Sequence, residues 1–228
     1  VFQDPYSSLD PSHTVQDIIC EPMAIHKMYT QKERKERAKE LIRVVGLKEQ
    51  DLLKYPHEFS GGQRQRIVIA RALILEPKFI FCDEPVSALD VSVRAQVLNL
   101  MKDLQKEFNL TYMFISHDLS VVRFLCDRIG VMYLGRMVEI ADRQELYDNP
   151  MHPYTKALLS AIPVPDVDVK HEPMLLEGDI PSPYNPPKGC LFHTRCKFAM
   201  ECCKTEVPQM RQIGENHCVA CHLYDDVK

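Results

Sequence analysis

The order of apolar and polar positions predicts amphipathic helices in the first 110 residues. Thr30 and Glu33 form a capping box that opens one helix, which Gly46 ends. Ser60 and Gln63 form a second capping box in front of another apolar face. Apolar residues at helical spacing predict a third helix: Val93, Val97, Leu100, Met101, Leu104 and Phe108. Each apolar stripe indicates a helix that packs one face on a core.

Short apolar runs between these helices predict strands. Residues 78–82 form a continuous apolar run, which is typical of a strand buried on both faces, and residues 110–115 are another strand-like run. A third run at 129–134 turns at Gly135 into residues 136–140. Because helices and strands alternate, we expect an α/β domain with a largely parallel sheet. In such sheets, ligands bind beyond the carboxyl ends of the strands.

Composition then removes several classes of protein. The chain has 228 residues and a net charge of -4, which gives no electrostatic reason to expect a nucleic-acid partner. No apolar run approaches the roughly 18–20 residues of a membrane-spanning helix. There is no signal peptide, and the sequence opens at Val1 without an initiator Met, so we expect a fragment whose beginning is missing. Seven prolines in residues 163–188 predict a linker or an extended arm.

The nine cysteines are distributed unevenly. Cys20, Cys82 and Cys126 lie among apolar neighbours and are predicted to be small core residues. The others crowd into the last forty residues: Cys190, Cys196, Cys202, Cys203, Cys218 and Cys221. Without an export signal, this crowding favours a metal or cluster site over a disulfide framework.

The run Ser60-Gly61-Gly62-Gln63 predicts a phosphate-binding helix start. A serine cap before two glycines leaves backbone N–H groups free at the positive end of a helix. Such an end binds phosphate readily. The alternative is a serine-capped helix that follows a flexible turn.

Two predicted strands deliver polar side chains to one edge of the sheet. Asp83 and Glu84 end the first strand, where one carboxylate can hold Mg²⁺ through water and the other can polarise an attacking water. His117 follows the second strand and can hydrogen-bond a terminal phosphate or that water. The alternatives are solvated acids at a turn and a structural histidine.

Together these segments resemble the ATP-binding subunits of ABC transporters, in that family's order, over residues 1 to about 145. The resemblance rests on Gln3 in V-F-Q-D-P, F-S-G-G-Q-R-Q-R at 59–66, D-E-P-x-S-A-L-D at 83–90 and I-S-H-D at 115–118. It implies that Gln3 is the Q-loop glutamine, that Ser60, Gly61, Gly62 and Gln63 are the signature motif, that Asp83 and Glu84 end Walker B, that Ser87, Ala88, Leu89 and Asp90 are the D-loop, and that His117 is the switch histidine. The Walker A pattern G-x-x-x-x-G-K-[ST] is absent, and we attribute this to truncation because that loop precedes the Q-loop in the family.

The tail resembles the C-terminal extension of oligopeptide and dipeptide importer ATPases, with nickel importers as close relatives. The similar segments are 135–139, 149–155, 158–159, 189–196 and 219–221. Members of this group can carry a 4Fe–4S cluster, which maps onto Cys190, Cys196, Cys203 and Cys221, with Cys202 and Cys218 as extra cysteines. Zinc and free thiols remain alternatives, although the spacings lack the paired C-x₂-C of zinc ribbons.

The resemblance implies an α/β fold of the P-loop NTPase type in three parts. These are an ABC ATPase domain over residues 1–145 with a helical subdomain at about 10–75, a C-terminal extension with a Pro-rich linker over 146–188, and a Cys-rich tail over 189–228. It also implies that two ATPase subunits sandwich two ATP molecules with Mg²⁺. They would work on the cytoplasmic face of the membrane, where the permease subunits would contact the helical region around residues 10–57. An extracytoplasmic binding protein would deliver the peptide to the permease.

Two other classes of protein remain open at this stage. A soluble ABC-type ATPase would share the phosphate chemistry, and would be expected to carry a coiled-coil insertion or a second cassette. A regulatory, cluster-binding module would not hydrolyse ATP. Because the lysine and backbone cradle of Walker A are absent from the 228 residues, we expect these residues alone to be inactive.

Overall fold

The computed structural model describes residues 1–162 and 174–225, and it divides the chain into two compact units, Val1–Val121 and Val122–Lys228. Part of the predicted Pro-rich linker, residues 163–173, lies outside the described residues. The helices are α1 (Val15–Ile25), α2 (Gln31–Val44), α3 (Gly61–Leu73), α4 (Val91–Glu107), α5 (Leu119–Leu125), α6 (Arg143–Asp148), α7 (Pro153–Ser160) and α8 (Glu201–Thr205). The strands are β1 (Phe79–Asp83), β2 (Thr111–Ile115), β3 (Arg128–Tyr133), β4 (Arg136–Asp142), β5 (Arg211–Gly214) and β6 (His217–Val219).

The three predicted helices are confirmed as α2, α3 and α4, and local hydrogen bonds explain where they begin. At α2, the backbone N–H of Thr30 donates to Glu33 Oε2 over 2.7 Å. At α3, the backbone N–H of Ser60 donates to Gln63 Oε1 over 3.0 Å. Helix α1, which the apolar pattern did not predict, has a capping box of the same kind at Thr14, and Pro22 lies inside it.

The predicted sheet is only partly correct. Strands β1 and β2 are parallel and pair from Phe79↔Thr111 to Asp83↔Ile115. The expectation of a largely parallel sheet is wrong for the later strands, which form a separate antiparallel sheet in the order β3-β4-β6-β5. The reason is the two-residue turn at Leu134 and Gly135, whose φ angles of 45° and 78° suit a tight hairpin.

The prediction that the 78–82 strand is buried on both faces is also wrong. Ile80 and Cys82 are buried, whereas Phe79 and Phe81 are 53% and 43% exposed, because only one face of β1 packs against the core of this unit. Cys20 and Cys126, which were expected in the core, are half-buried.

The two units have separate cores. In the first unit, the fully buried side chains include Ile19, Ile42 and Ile67 from α1, α2 and α3. In the second, Phe192 packs with Tyr133 and Tyr154, with ring centroids 5.2 and 5.4 Å from its own. Within the described ranges, we find no helix with the length and apolarity needed to span a bilayer.

Candidate functional site

The carboxyl ends of β1 and β2 lie side by side in the first unit. The last residue of β1, Asp83, pairs with Ile115 of β2, and the backbone N–H of Glu84 donates to the Ile115 carbonyl over 3.0 Å. Glu84 has a φ of 43°, a backbone conformation that side-chain-bearing residues adopt at a cost of about 1–3 kcal/mol. The pairing therefore holds Glu84 in a strained position at the sheet edge.

The carboxylate of Glu84 lies between two predicted site residues. Gln3 Nε2 donates to Glu84 Oε2 over 2.9 Å, and His117 Nδ1 lies 2.8 Å from Glu84 Oε1. The carboxylate accepts both hydrogen bonds, so Nδ1 carries a proton in this arrangement. The Glu84 side chain is 23% exposed and that of His117 is 72% exposed, so solvent reaches the pair mainly at the imidazole.

The first residues of the chain reach this edge because they run beside β1. The nitrogen of Val1 donates to the Phe81 carbonyl over 2.8 Å, and the backbone N–H of Asp83 donates to the Val1 carbonyl over 2.9 Å. This pairing places Gln3 next to Glu84. Asp83 itself is half-buried at the end of β1.

The predicted D-loop follows Glu84 directly and is tied to it. Ser87 Oγ donates to the Glu84 carbonyl over 2.9 Å. Asp90 caps α4, where its carboxylate accepts a 3.0 Å hydrogen bond from the backbone N–H of Val93, and this hydrogen bond lowers the pKa of Asp90. Between them, Ala88 is exposed and Leu89 is buried.

The segment Ser60–Gln63 forms the predicted helix start at α3. A Cβ at Gly62 would lie 2.1 Å from Val93 Cγ1, so only glycine allows this approach between α3 and α4. A Cβ at Gly61 would lie 3.5 Å from Leu89 Cδ2. In the described residues, the side-chain hydrogen bonds of Ser60 and Gln63 stay within the capping box. The structure therefore does not bring this segment into hydrogen-bond contact with Glu84.

The four cysteines assigned to a metal lie near one another in the second unit. Burial raises the pKa of Cys221 to about 11, and the charges of Cys190, Cys196 and Cys203 raise it further. The backbone N–H of Cys190 donates to the Cys203 carbonyl over 2.9 Å. Yet no three His, Cys, Asp or Glu side chains of residues 1–162 and 174–225 form a group that could hold a metal ion. The donor chemistry fits a thiolate metal site, whereas the arrangement does not form one.

Sequence reasoning missed a buried carboxylate network in the second unit. Glu139, on β4, is fully buried and accepts hydrogen bonds from the backbone N–H groups of Met151 (2.7 Å) and His152 (2.9 Å). His217 Nε2 lies 2.7 Å from Glu139 Oε1. Burial lowers the pKa of His152 to about 4, although the charge of Glu139 opposes the shift. The one available signal was a glutamate at an alternating position in a predicted strand, which sequence patterns treat as solvent-facing.

It also missed two residues beside the predicted site, Arg94 and Asp118, which form a 2.9 Å ion pair. A single arginine in the first turn of a helix carries no distinctive pattern. The pairing depends on contacts between segments 24 residues apart, so the sequence alone gave no signal for it.

Comparison with known proteins places the chain in a family. The model of the ABC transporter family matches residues 1–87, and the model of the oligopeptide/dipeptide transporter C-terminal region matches residues 138–203. The chain is 60% identical over 226 residues to the oligopeptide transport ATP-binding protein AppF of Bacillus subtilis, across 98% of this chain and 69% of the relative. It is 50% identical to the di/tripeptide transport ATP-binding protein DppF of Pseudomonas aeruginosa, across 97% of this chain and 68% of that protein.

A solved structure supports the fold. The chain matches cbiO1 of Clostridium perfringens, part of the ABC transporter complex cbiONQ, with a TM-score of 0.58 and 30% identity over 65% of this chain and 58% of that one. The mixed α/β architecture expected from the sequence is thereby confirmed as that of an ABC ATPase. The chain belongs to the ABC transporter family of ATPases, among the ATP-binding proteins of oligopeptide and dipeptide transporters.

Proposed function

We propose that this protein, as its full-length gene product, hydrolyses ATP as the nucleotide-binding subunit that powers import of oligopeptides or dipeptides. The observation that carries the proposal is the Glu84 carboxylate held between Gln3 and His117 at the carboxyl edge of β1 and β2. Relatives across 98% and 97% of the chain are named for oligopeptide and di/tripeptide transport.

The edge residues divide the chemistry of hydrolysis among them. Asp83 would hold Mg²⁺, which would neutralise charge on the nucleotide phosphates. Glu84 orients and polarises the attacking water, since its carboxylate is fixed by two side chains and lies beside the exposed imidazole of His117. His117 hydrogen-bonds the terminal phosphate, and Gln3 links this site to the permease.

The signature segment Ser60–Gln63 acts on a second nucleotide in this proposal. Its two glycines leave the N-terminal N–H groups of α3 open, and they receive the terminal phosphate of an ATP bound to a second ATPase subunit. The absence of a hydrogen bond between this segment and Glu84 within one chain agrees with such a division between subunits. The D-loop residues 87–90 lie next to both Glu84 and the signature segment. Ser87 donates to the Glu84 carbonyl, and a Cβ at Gly61 would lie 3.5 Å from Leu89 Cδ2.

The partners follow from the same assignment. The permease subunits contact the helical region around residues 10–57, and an extracytoplasmic binding protein supplies the peptide. The subunit then works peripherally at the cytoplasmic face of the membrane. We also retain the three-part division into residues 1–145, 146–188 and 189–228 as part of the proposal.

The test is peptide-stimulated ATP hydrolysis by the full-length gene product, reconstituted in liposomes with its permease and binding protein. We expect stimulation by peptide, and loss of turnover in Glu84→Gln but not in the matched control Glu107→Gln, an exposed residue at the end of α4. ATP turnover that is the same with and without the permease would favour a soluble ABC-type ATPase. No turnover in the wild type would favour a regulatory module.

We propose further that Cys190, Cys196, Cys203 and Cys221 hold a 4Fe–4S cluster, with zinc as the alternative. The support is that these four thiols lie near one another, since Cys190, Cys196 and Cys203 each raise the pKa of Cys221. By contrast, Cys203 is the one cysteine that raises the pKa of Cys202. A bound cluster or zinc would cross-link the tail. The test is anaerobic purification followed by iron, sulfide and zinc analysis. Stoichiometric zinc alone would replace the cluster, and no metal would remove the site.

A further inference from the structure

Arg94 connects the D-loop to the segment that carries His117. From the first turn of α4, its Nη1 donates to Asp118 Oδ2 over 2.9 Å, and its Nη2 donates to the Leu89 carbonyl over 3.2 Å. The guanidinium is suited to this task because its planar donors contact two acceptors at fixed angles. One side chain therefore contacts the residue before Asp90 and the residue after His117.

Asp118 in turn fixes the backbone that follows His117. Its Oδ1 accepts hydrogen bonds from the backbone N–H groups of Ser120 (2.9 Å) and Val121 (3.3 Å) at the start of α5. Its own N–H donates to Ser116 Oγ over 3.0 Å. With Oδ2 held by Arg94, both carboxylate oxygens of Asp118 have partners, so the turn at His117 has little freedom.

These contacts complete a ring of hydrogen bonds around the candidate site. Glu84 bonds His117 through its side chain and Ser87 through its carbonyl. Ser87 and Leu89 belong to one loop, from which Arg94 returns to Asp118 beside His117. The Arg94 and Asp118 side chains are only 26% and 31% exposed, so their ion pair is partly shielded from solvent. A shift of the D-loop is therefore transmitted to the imidazole.

We propose that Arg94 is a positioning residue that couples the position of the D-loop to the position of the His117 imidazole relative to the Glu84 carboxylate. The proposal rests on the proposed function, because positioning matters only if Glu84 and His117 act on a nucleotide. The hydrogen bonds of Arg94 go to Asp118 and Leu89 rather than to Glu84 or His117, so its loss should slow turnover without weakening the binding of ATP.

The kinetic test compares Arg94→Ala, Arg94→Lys and Asp118→Asn in the full-length gene product. We expect Arg94→Ala to lower kcat about tenfold or more while KM for ATP stays within about twofold, since misplacement of a reacting group by a fraction of an ångström is costly. Arg94→Lys should recover part of the rate, because an ammonium can contact Asp118 but lacks the fork that also contacts Leu89. A change confined to KM would overturn the proposal.

Two controls separate positioning from lost stability. Glu76→Gln removes another ion pair of the same unit, with Arg37, and should leave kcat unchanged. In a His117→Ala background, Arg94→Ala should lower the residual rate no further, because the residue that it positions is gone. A further full-sized loss in that background would contradict the assignment.

A spectroscopic measurement keeps this proposal separate from the proposed function. The ¹⁵N spectrum of the His117 imidazole should report one protonated Nδ1 in the wild type and a mixture of states in Arg94→Ala. An altered spectrum in a protein without ATP turnover would support the positioning role and reject the proposed function. An unchanged spectrum would reject the positioning role whatever the activity.

Discussion

Each of the two units contains a glutamate–histidine pair, and the two pairs differ in burial rather than in chemistry. Glu84 and His117 lie 2.8 Å apart, with side chains that are 23% and 72% exposed. Glu139 and His217 lie 2.7 Å apart, with side chains that are 0% and 5% exposed. The first pair lies at the end of a parallel strand pair, and the second links two antiparallel strands.

The difference in burial distinguishes the proposed reactive role of Glu84 from the structural role of Glu139. Glu139 accepts three hydrogen bonds from Met151, His152 and His217, as a charge removed from water requires. These bonds tie β4 to β6 and to the start of α7. Glu84 has two side-chain partners, of which His117 is exposed to solvent, and a left-handed backbone. A glutamate–histidine pair therefore indicates a candidate site only when solvent and ligand can reach it.

The largest predicted effect concerns the exposed pair. We expect His117→Ala in the full-length gene product to lower ATP turnover about 10²- to 10⁴-fold, the range for loss of a proton-transferring or phosphate-positioning group. The free energy of unfolding should change by less than about 0.5 kcal/mol, because the imidazole is mostly exposed. Lys106→Ala, at an exposed position near the end of α4, is the matched control for turnover. Near-normal turnover in His117→Ala would refute a reactive role for the exposed pair.

The buried pair should show the reverse behaviour. His217→Ala leaves the Glu139 carboxylate buried without one of its partners, which should lower the free energy of unfolding by about 3 kcal/mol. His217→Gln should recover part of it, because the amide N–H₂ can donate to Glu139. Denaturant unfolding followed by a probe in the second unit measures both. A loss below about 1 kcal/mol would mean that the pair is not structural.

The stability of the second unit should depend on pH through His152. Its folded-state pKa of about 4 lies below the ordinary value of 6.5, because the side chain is buried. Between these values the unfolded chain binds more protons, so stability is full above pH 6.5 and falls by up to about 3 kcal/mol as the pH drops to 4.

The control for this pH dependence is His152→Asn, which keeps a side-chain acceptor for the N–H of Tyr154 at the start of α7. Unfolding curves between pH 4 and 7 should be flatter for the asparagine variant than for the wild type. Equal slopes for the two proteins would assign the pH dependence to groups other than His152.

The smallest predicted effect separates two helix caps of the same geometry. Ser60→Ala and Thr30→Ala each remove a capping box and should each cost about 1 kcal/mol of stability. Only Ser60→Ala should also lower ATP turnover, because Thr30 lies outside the proposed phosphate-binding segments. Turnover would be measured at a temperature well below both unfolding midpoints. Equal turnover in the two variants would leave Ser60 with a capping role alone.

The polar groups that the sequence predicted to lie together did so when strand order alone was enough to place them. Glu84 and His117 each follow a strand, and parallel pairing of β1 with β2 brings those ends together. Gln3 joined them through a pairing of the first residues with β1 that no local pattern encodes. The predicted cysteine set also converges, without the arrangement of a metal site in the described residues.

Where the helices begin was determined by the sequence itself, because a cap joins groups three residues apart and needs no partner from elsewhere. Thr30, Ser60 and Asp90 each fix a helix start in this way. Only the tertiary structure decided which side chains are buried and which pairs meet over long distances. Phe81 is exposed, Glu139 is buried and Arg94 pairs with Asp118, because each outcome depends on what packs against that position. The unfolded chain has many alternative arrangements, and only the combined contacts of the whole unit favour one of them.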